Sequence, residues 1–371
     1  MMKKFLFSLL LLAACSYEEP ELEEAVYVDK IEEPEPKPES TGLDLGGLSQ
    51  TLQAHLREVD FNGVALVAID GEILFNEGFG LATTVGDVSM SENQIFQIAS
   101  LSKSFVAVSI LQLVEQGALT LDTTLNYFLP DIYRSDEITI HHLLTHSSGL
   151  FSGDDLTHYS DPTSSKTLIR YAYYPWAQHF KEIGEGTIYS NLGYDILGVI
   201  VEMASGLTYE EYLRRYILDV VGMPDTGLNV SGEPFYYMAT AYWGHISQGE
   251  PAPVFHPSFG FSSGGLHSTT HDLFKYAQAL MQGTLLSSES WELMIYPHTQ
   301  VGRGLHGYGF FRDVRGGANT ISHTGNLLGW HGVLIQELDN VATVILLTNH
   351  SAGHDMQIGY DLMGFVVGLM P

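Results

Sequence analysis

The apolar residues of the chain recur at different spacings, and each spacing predicts its own kind of element. Leu48, Leu52 and Leu56 lie four residues apart, which is the pattern of an amphipathic helix. A second helix is predicted over residues 105–114, where apolar side chains occur nearly all the way round, and Gly117 is its expected stop. Because this second helix has no polar face, we expect it to lie buried between other elements.

Two hairpins are predicted, one near each end of the chain. Residues 63–69 and 72–79 flank Asp70-Gly71, a dipeptide typical of a two-residue hairpin turn. Residues 330–336 and 341–348 flank a second short turn. Connections this short require antiparallel pairing of the strands that they join.

Helical patterns dominate between the two hairpins. Residues 194–203 form one helical pattern that ends at Gly206, another begins with a cap near Ser268 or Thr269, and a last helix is predicted over residues 356–369. We therefore predict a mixed α/β (α+β) fold, with an antiparallel sheet flanked by helices and a mostly helical lobe. The groove between the sheet and the lobe is the expected place for a functional site.

The charge of the chain narrows the range of partners. The sequence has 16 lysine and arginine residues against 44 aspartate and glutamate residues, a formal net charge of −28. This balance, without any basic cluster, argues against nucleic acid as a partner. Cys15 is the only cysteine, which excludes an internal disulfide.

The first residues of the chain have the pattern of a bacterial export signal. Lys3 and Lys4 precede an apolar run over residues 5–12, which is too short to span a bilayer, and then comes Leu12-Ala13-Ala14-Cys15. The small residues before Cys15 resemble a lipobox, in which the cysteine is lipidated. A plain secretory signal is the alternative.

Three regions follow from this pattern. We predict a lipoprotein signal peptide over residues 1–14, an acidic tether rich in proline and glutamate over 15–44, and one domain over 45–371. The protein is then expected in the bacterial cell envelope, lipid-anchored on the periplasmic face of a membrane or at the cell surface. The sequence leaves its oligomeric state open.

Ser100-Leu101-Ser102-Lys103 opens the apolar helix and places a lysine one turn after a serine. Residues three apart share a helix face, so the Lys103 amine is expected within reach of the Ser100 hydroxyl. An amine in an apolar site loses its proton more readily, and the free N–H groups of a helix start favour negative charge. The pattern predicts an activated serine nucleophile, while a helix cap followed by a lysine that reaches solvent is the structural alternative.

Two later motifs follow in an order that a known superfamily shows. Tyr189-Ser190-Asn191 precedes a helical run, and His323-Thr324-Gly325 ends a strand-like run before a turn over 326–329. Together with Ser-x-x-Lys they resemble the serine β-lactamase and penicillin-binding-protein superfamily, and within it the branch of class C β-lactamases, D-aminopeptidases and esterases. The resemblance extends over the whole predicted domain and includes three further segments: residues 98–100 with Phe105, 143–150 and 263–266.

The resemblance implies a role for each residue of the first two motifs. Ser100 would attack a carbonyl and form an acyl-enzyme, with Lys103 as its base or proton relay. Tyr189 would act as a second acid/base that protonates the leaving group, and Asn191 would hold Lys103 or bind the substrate. Whether Lys103 or Tyr189 takes the proton during acylation stays open.

The third motif is implied to bind the substrate. The backbone N–H groups of Ser100 and Asn326 would form the oxyanion hole, and Thr324 and Gly325 would contact the substrate. His323 departs from the family pattern, since the β-lactamases have a lysine there that attracts a substrate carboxylate. An ordinary histidine is mostly neutral at pH 7, and the acidic chain repels anions.

Three functions are compared on this basis. The preferred one is a serine hydrolase acting on a D-amino-acid peptide, an amide or a small ester, and it needs no cofactor. A class C-type β-lactamase or DD-carboxypeptidase is the alternative, and His323 is its weakest point. A surface-anchored binding protein that has lost turnover is the third, and the intact Ser100, Lys103, Tyr189 and Asn191 argue against it.

Two competing motifs are interpreted as structural. Residues 260–264 fit the G-x-S-x-G pattern of lipases, but three prolines over residues 251–257 argue against the strand that this motif needs, so we expect a turn there. His142 and His146 have a spacing that can bind zinc on a helix, yet no third ligand is evident, so no metal site is predicted. His331 is expected to pack or to line a pocket.

Overall fold

The computed structural model describes residues 45–152, 182–228, 238–247, 249–252, 260–302, 304–315, 318–339, 341–351 and 355–368. The helices are α1 Leu45–Glu58, α2 Ser102–Glu115, α3 Ile140–Leu144, α4 Asn191–Ser205, α5 Tyr209–Leu213, α6 Asp219–Val221, α7 Phe261–Gly264, α8 Thr270–Met281, α9 Ser288–Ile295 and α10 Asp355–Val367. Short 3₁₀ turns lie at Ala99–Leu101 and Leu125–Tyr127, and a π-helical turn follows α5 at Arg214–Leu218.

The strands of the described residues form one large sheet and two small ones. The strands are β1 Gly63–Ile69, β2 Glu72–Phe79, β3 Leu81–Thr83, β4 Val88–Ser89, β5 Phe96–Gln97, β6 Gly227–Leu228, β7 Leu266–Ser268, β8 Thr299–Val301, β9 Gly304–His306, β10 Phe311–Arg315, β11 Ala318–Leu327, β12 Trp330–Glu337 and β13 Ala342–Thr348. The large sheet has the order β2-β1-β13-β12-β11-β10-β9-β8, and every neighbouring pair in it is antiparallel. The small sheets pair β3 with β4 and β5-β7-β6.

Both hairpins predicted from the sequence are present in the large sheet. Strands β1 and β2 meet with Ile69 opposite Glu72, and the turn residues Asp70 and Gly71 have φ of 51° and 82°. Positive φ at both turn residues is the type I′ geometry, whose twist matches that of the strands. Strands β12 and β13 pair over residues 331–337 and 342–348.

Helices cover both faces of the large sheet and give it two apolar cores. On β1, Val64 and Leu66 pack into a core with α2 and α4, while Ala65 and Val67 pack into a second core with the terminal helices α1 and α10. Alternate residues of a strand point to opposite faces, so a strand buried on both faces is apolar throughout. The mixed fold with an antiparallel sheet and a helical lobe is confirmed.

Helix α2 is the centre of the helical side. All its residues from Ser102 to Leu113 are buried, and Phe105 stacks on Tyr276 of α8 with ring centroids 3.9 Å apart. The helix ends at Glu115, and Gly117 follows it with φ of 71°, close to the predicted stop. The all-round apolar pattern of this segment is thereby explained.

The predicted leader over 1–14, the tether over 15–44 and Cys15 lie outside the described residues and stay predictions. Over the stretches of chain that are described, no helix has both the length and the apolar character needed to cross a membrane.

Candidate active site

Ser100 lies at a sharp turn between strand β5 and helix α2. It is the middle residue of the 3₁₀ turn Ala99–Leu101, and it is partly exposed while its two neighbours are buried. Ala99 has φ of 46°, a left-handed conformation that costs a residue with a Cβ about 1–3 kcal/mol and persists only where the surroundings impose it. The two buried neighbours therefore hold the turn in place, and Ser100 stays partly accessible to solvent.

Lys103 is fully buried on the first turn of α2, and its amine makes three hydrogen bonds. Nζ lies 3.0 Å from Ser100 Oγ, 2.6 Å from Asn191 Oδ1 and 2.8 Å from the carbonyl oxygen of Ser263. The last two atoms can only accept, so each requires an N–H from the amine. The third contact places the same amine directly beside the Ser100 hydroxyl.

Asn191 reaches this amine because it is the first residue of α4. The helix is capped by the preceding residue, Ser190, whose Oγ accepts a hydrogen bond from Gly193 N at 3.0 Å and donates one to Phe151 O at 2.7 Å. The cap of α4 is therefore Ser190, and Asn191 is not needed for it. The Asn191 amide stays available for Lys103.

Tyr189 stands beside the same amine. The centre of its ring lies 4.8 Å from Lys103 Nζ and 6.4 Å from the ring of His323. The face of an aromatic ring attracts an ammonium group at this distance, so the contact favours the placement of the Tyr189 ring beside Lys103. Ser100, Lys103, Tyr189 and Asn191 are thus brought together from two distant parts of the chain.

The third motif lies on strand β11, and the prediction that this strand ends at Gly325 was wrong. The strand continues to Leu327, with Gly325 opposite Gly332 and Leu327 opposite Trp330. The tight turn is Leu328-Gly329, where both residues have positive φ, so Asn326 belongs to the strand and is exposed. The period of a strand puts His323 and Gly325 on one face and Thr324 on the other.

His323 is buried and neutral. Its Nδ1 donates to Thr324 O at 2.6 Å, which leaves Nε2 as a lone-pair acceptor with no hydrogen-bond partner among the described residues. Burial first, and the Lys103 charge second, lower the pKa of His323 to about 3. The strand therefore presents no positive charge at the position where the β-lactamases of the resemblance have a lysine.

The G-x-S-x-G segment contributes a backbone atom to the site, which the sequence analysis missed. The segment is the short helix α7 rather than the turn expected there, and Ser262 is buried with its Oγ donating to Tyr194 O at 2.9 Å. The Ser262 hydroxyl is thus bonded to helix α4, while the carbonyl of Ser263 accepts from Lys103. The match of residues 263–266 to the family was the only sign of this contact in the sequence.

His142 and His146 bind different partners. Nδ1 of His142 accepts from Thr139 N at 3.2 Å and so caps α3, whereas Nδ1 of His146 accepts from Ser190 N at 3.0 Å. His331 lies 3.4 Å from Asp355. Within the described ranges, no group of three potential ligands is placed to hold a metal ion.

Three further observations come from comparison with known proteins. The sequence model of the Beta-lactamase family matches residues 48–367. The chain is 30% identical over 320 residues to Penicillin-binding protein 4* of Bacillus subtilis, which covers 81% of this chain and 71% of that protein. It is 34% identical over 245 residues to Esterase EstB of Burkholderia gladioli, covering 58% of this chain and 59%, less than two thirds, of the esterase.

Among solved structures, the octameric penicillin-binding protein homologue from Pyrococcus abyssi matches the fold. The two chains are 27% identical with a TM-score of 0.77, and the match covers 88% of this chain and 78% of the other.

Proposed function

The chain belongs to the β-lactamase family of serine hydrolases, and from this premise we propose that it cleaves amides or esters through an acyl-enzyme on Ser100. The observation that carries the proposal is the contact of 3.0 Å between Ser100 Oγ and the buried amine of Lys103. Asn191 Oδ1 and the carbonyl oxygen of Ser263 each bond to this amine and hold it beside the serine. An adjacent base is what a serine hydroxyl needs to become a nucleophile.

Acylation then runs through three groups. Ser100 Oγ bonds to the substrate carbonyl carbon and gives its proton to the unprotonated form of Lys103, which keeps its hydrogen bonds to Asn191 and Ser263. The bond from carbon to the leaving nitrogen or oxygen breaks, and that atom takes a proton from the phenol of Tyr189. The Lys103 ammonium returns a proton to the phenolate, and water later releases the acid.

We propose substrates that carry no carboxylate beside the scissile bond, among them D-amino-acid amides, short peptides and small esters. The neutrality of His323 supports this choice, since a buried imidazole of pKa about 3 gives a carboxylate no charge to bind. The relative named as an esterase supports esters in particular.

A β-lactamase or DD-carboxypeptidase activity is the second candidate. It is favoured by the similarity to a penicillin-binding protein along 81% of this chain. Such substrates carry a carboxylate, so the charge at position 323 separates the two candidates.

Parallel labelling with a fluorophosphonate and a fluorescent penicillin tests both candidates. We expect the fluorophosphonate to label the wild type and not Ser100→Ala, and a carboxylate-free ester to be hydrolysed faster than a penicillin. Equal labelling of Ser100→Ala and wild type would overturn the assignment of the nucleophile. Rapid penicillin turnover would favour the second candidate, and Ser262→Ala, which should keep its label, is the matched control.

We also propose that the enzyme is anchored in the bacterial cell envelope by a lipid on Cys15. The apolar run over residues 5–12 and the small residues before Cys15 support this. Full-length protein is expected in the membrane fraction and a Cys15→Ser variant in the soluble fraction. An equal distribution of the two would refute the anchor.

A further inference from the structure

His146 contacts three consecutive residues, Ile188, Tyr189 and Ser190, and the last two belong to the second motif. Its carbonyl oxygen accepts a hydrogen bond from Ile188 N at 2.9 Å, and its Nδ1 accepts one from Ser190 N at 3.0 Å. Between these two bonds, its ring lies against the ring of Tyr189 with centroids 4.4 Å apart. The backbone on both sides of Tyr189 and the side chain of Tyr189 are therefore fixed by one residue.

The ring of His146 is itself held in place from behind. It is buried between Tyr194 and His306, with ring centroids 5.0 Å and 4.8 Å away, and the hydroxyl of Tyr194 donates to Leu144 O at 2.8 Å. His146 has φ of 59°, a left-handed conformation that is unfavourable for a residue with a bulky side chain. Such a conformation persists where the surroundings over-determine it, often near functional sites.

The bond to Ser190 also fixes the chemical state of His146. A ring nitrogen can accept from a backbone N–H only when it carries no proton, so His146 must be neutral with its proton on Nε2. Burial first, and then the charges of His306, Lys103 and His323, hold its pKa well below the ordinary value. Nδ1 of His146 is therefore free of a proton at neutral pH and can accept from Ser190 N.

From these contacts we propose that His146 is a positioning residue, which aims the phenol of Tyr189 at the leaving group of the substrate. The inference rests on the acid role of Tyr189 in the proposed function. Among the described residues His146 makes no hydrogen bond or ring contact with Ser100 or Lys103, so we assign its effect to Tyr189. A displacement of about 1 Å in an acid catalyst is enough to lower a rate about a hundredfold.

The role predicts that the effect of a His146 variant depends on the leaving group. A p-nitrophenolate leaves without protonation, whereas an alkoxide or an amine requires the proton of Tyr189. A p-nitrophenyl ester and an ethyl ester with the same acyl group differ only in whether the leaving group needs a proton. Their kcat/KM values report acylation and can be compared directly. A residue that only stabilises the fold would lower both values equally.

The variants separate the two contacts of the side chain. In His146→Asn the amide oxygen replaces Nδ1 as the acceptor for Ser190 N, and asparagine tolerates positive φ, but the ring over Tyr189 is lost. In His146→Phe the ring is kept and the acceptor is lost. His142→Gln is the matched control, since His142 also accepts a backbone N–H but caps α3 instead.

We expect His146→Asn and His146→Phe to lower kcat/KM for the ethyl ester about 10- to 100-fold and for the p-nitrophenyl ester less than about threefold. Tyr189→Phe should likewise lower kcat/KM more for the ethyl ester than for the p-nitrophenyl ester. Adding His146→Asn to Tyr189→Phe should lower neither value further. His142→Gln should leave both esters unchanged. Fluorophosphonate labelling of Ser100 checks that each variant is folded. If one of the two His146 variants does not fold, the other one tests the proposal.

Equal losses on both esters in the folded His146 variants, or additive losses in the double variant, would overturn the positioning role. If Tyr189→Phe discriminates between the esters and the His146 variants do not, the inference fails and the proposed function stands. If Tyr189→Phe does not discriminate, the acid role of Tyr189 fails together with the inference.

Discussion

Gly325 of strand β11 passes so close to Ile98 that a Cβ on Gly325 would lie 2.1 Å from the Ile98 carbonyl oxygen. Ile98 directly precedes the turn that carries Ser100, so this approach determines how near the strand comes to the nucleophile. Only glycine allows it, since no other residue leaves the space for a backbone oxygen at that position. The Gly in the His-x-Gly motif thus has a packing reason that the structure makes visible.

A Gly325→Ala substitution should therefore damage the site more than its single methyl group suggests. We expect it to push β11 away from the Ser100 turn, to lower kcat/KM about a hundredfold and to destabilise the domain by about 1–3 kcal/mol. Ester hydrolysis and urea unfolding measure the two effects.

Gly364→Ala is the matched control, because a Cβ there meets nothing within 4 Å and the residue lies in helix α10. It should leave activity unchanged and stabilise the helix by about 0.5–1 kcal/mol. Full activity in Gly325→Ala would show that the close approach is not needed for catalysis.

Lys103→Met should abolish acylation while keeping most of the buried volume of the side chain. The sulfur and methyl group of methionine cannot take the Ser100 proton, so we expect fluorophosphonate labelling and ester hydrolysis to fall at least about a thousandfold. Lys275→Met is the control, because that amine, on helix α8, bonds to Asp272 of the same helix and to the carbonyl of Gly222 after helix α6, and not to Ser100. Labelling at the wild-type rate in Lys103→Met would contradict the base role.

The parts of the fold that the sequence predicted are those set by local rules. Asp70-Gly71 specifies its hairpin because both residues adopt positive φ, and helix α2 is apolar on every side because both its neighbours and the sheet cover it. The end of β11 was misplaced because Leu328-Gly329, rather than the run after Gly325, makes the turn. A leucine at positive φ carries no sequence signal of a turn.

The sequence predicted those parts of the candidate site that consist of side chains in a known motif. Ser100, Lys103 and Asn191 follow from the motifs, and their contacts have the expected partners. The carbonyl of Ser263 is a backbone group that every residue type has, so only the match of residues 263–266 to the family pointed to it. His146 was interpreted through its spacing to His142, and its contact with Ser190 spans 44 residues and depends on the tertiary fold.

The depressed pKa of His323 makes a prediction about stability at low pH. A histidine with a pKa of about 3 in the folded chain and about 6.5 in the unfolded chain stabilises the fold fully above pH 6.5. This contribution is lost as the pH falls from about 6.5 toward 3, because the unfolded state then binds a proton that the folded state does not.

In His323→Asn the asparagine amide can still donate to Thr324 O, and the titrating group is gone. We expect the pH slope of its unfolding free energy between about pH 5.5 and 4.5 to be smaller than that of the wild type by about 1.4 kcal/mol per pH unit. Urea unfolding at several pH values measures the slope. Identical slopes would mean that His323 is protonated in the folded chain.

His323→Lys should change which substrates the enzyme prefers. The substitution puts a lysine amine on the face of β11 that also carries Gly325, and its protonated form would give a substrate carboxylate at this position a charge-assisted hydrogen bond. We expect kcat/KM for a penicillin or a D-Ala-D-Ala peptide to rise about tenfold relative to a carboxylate-free ester of similar size. The ester is the internal control, since its rate reports any general damage from burying a lysine there. An unchanged ratio of the two rates would show that the charge at position 323 does not select the substrate, and the specificity would then depend on residues other than those of the third motif.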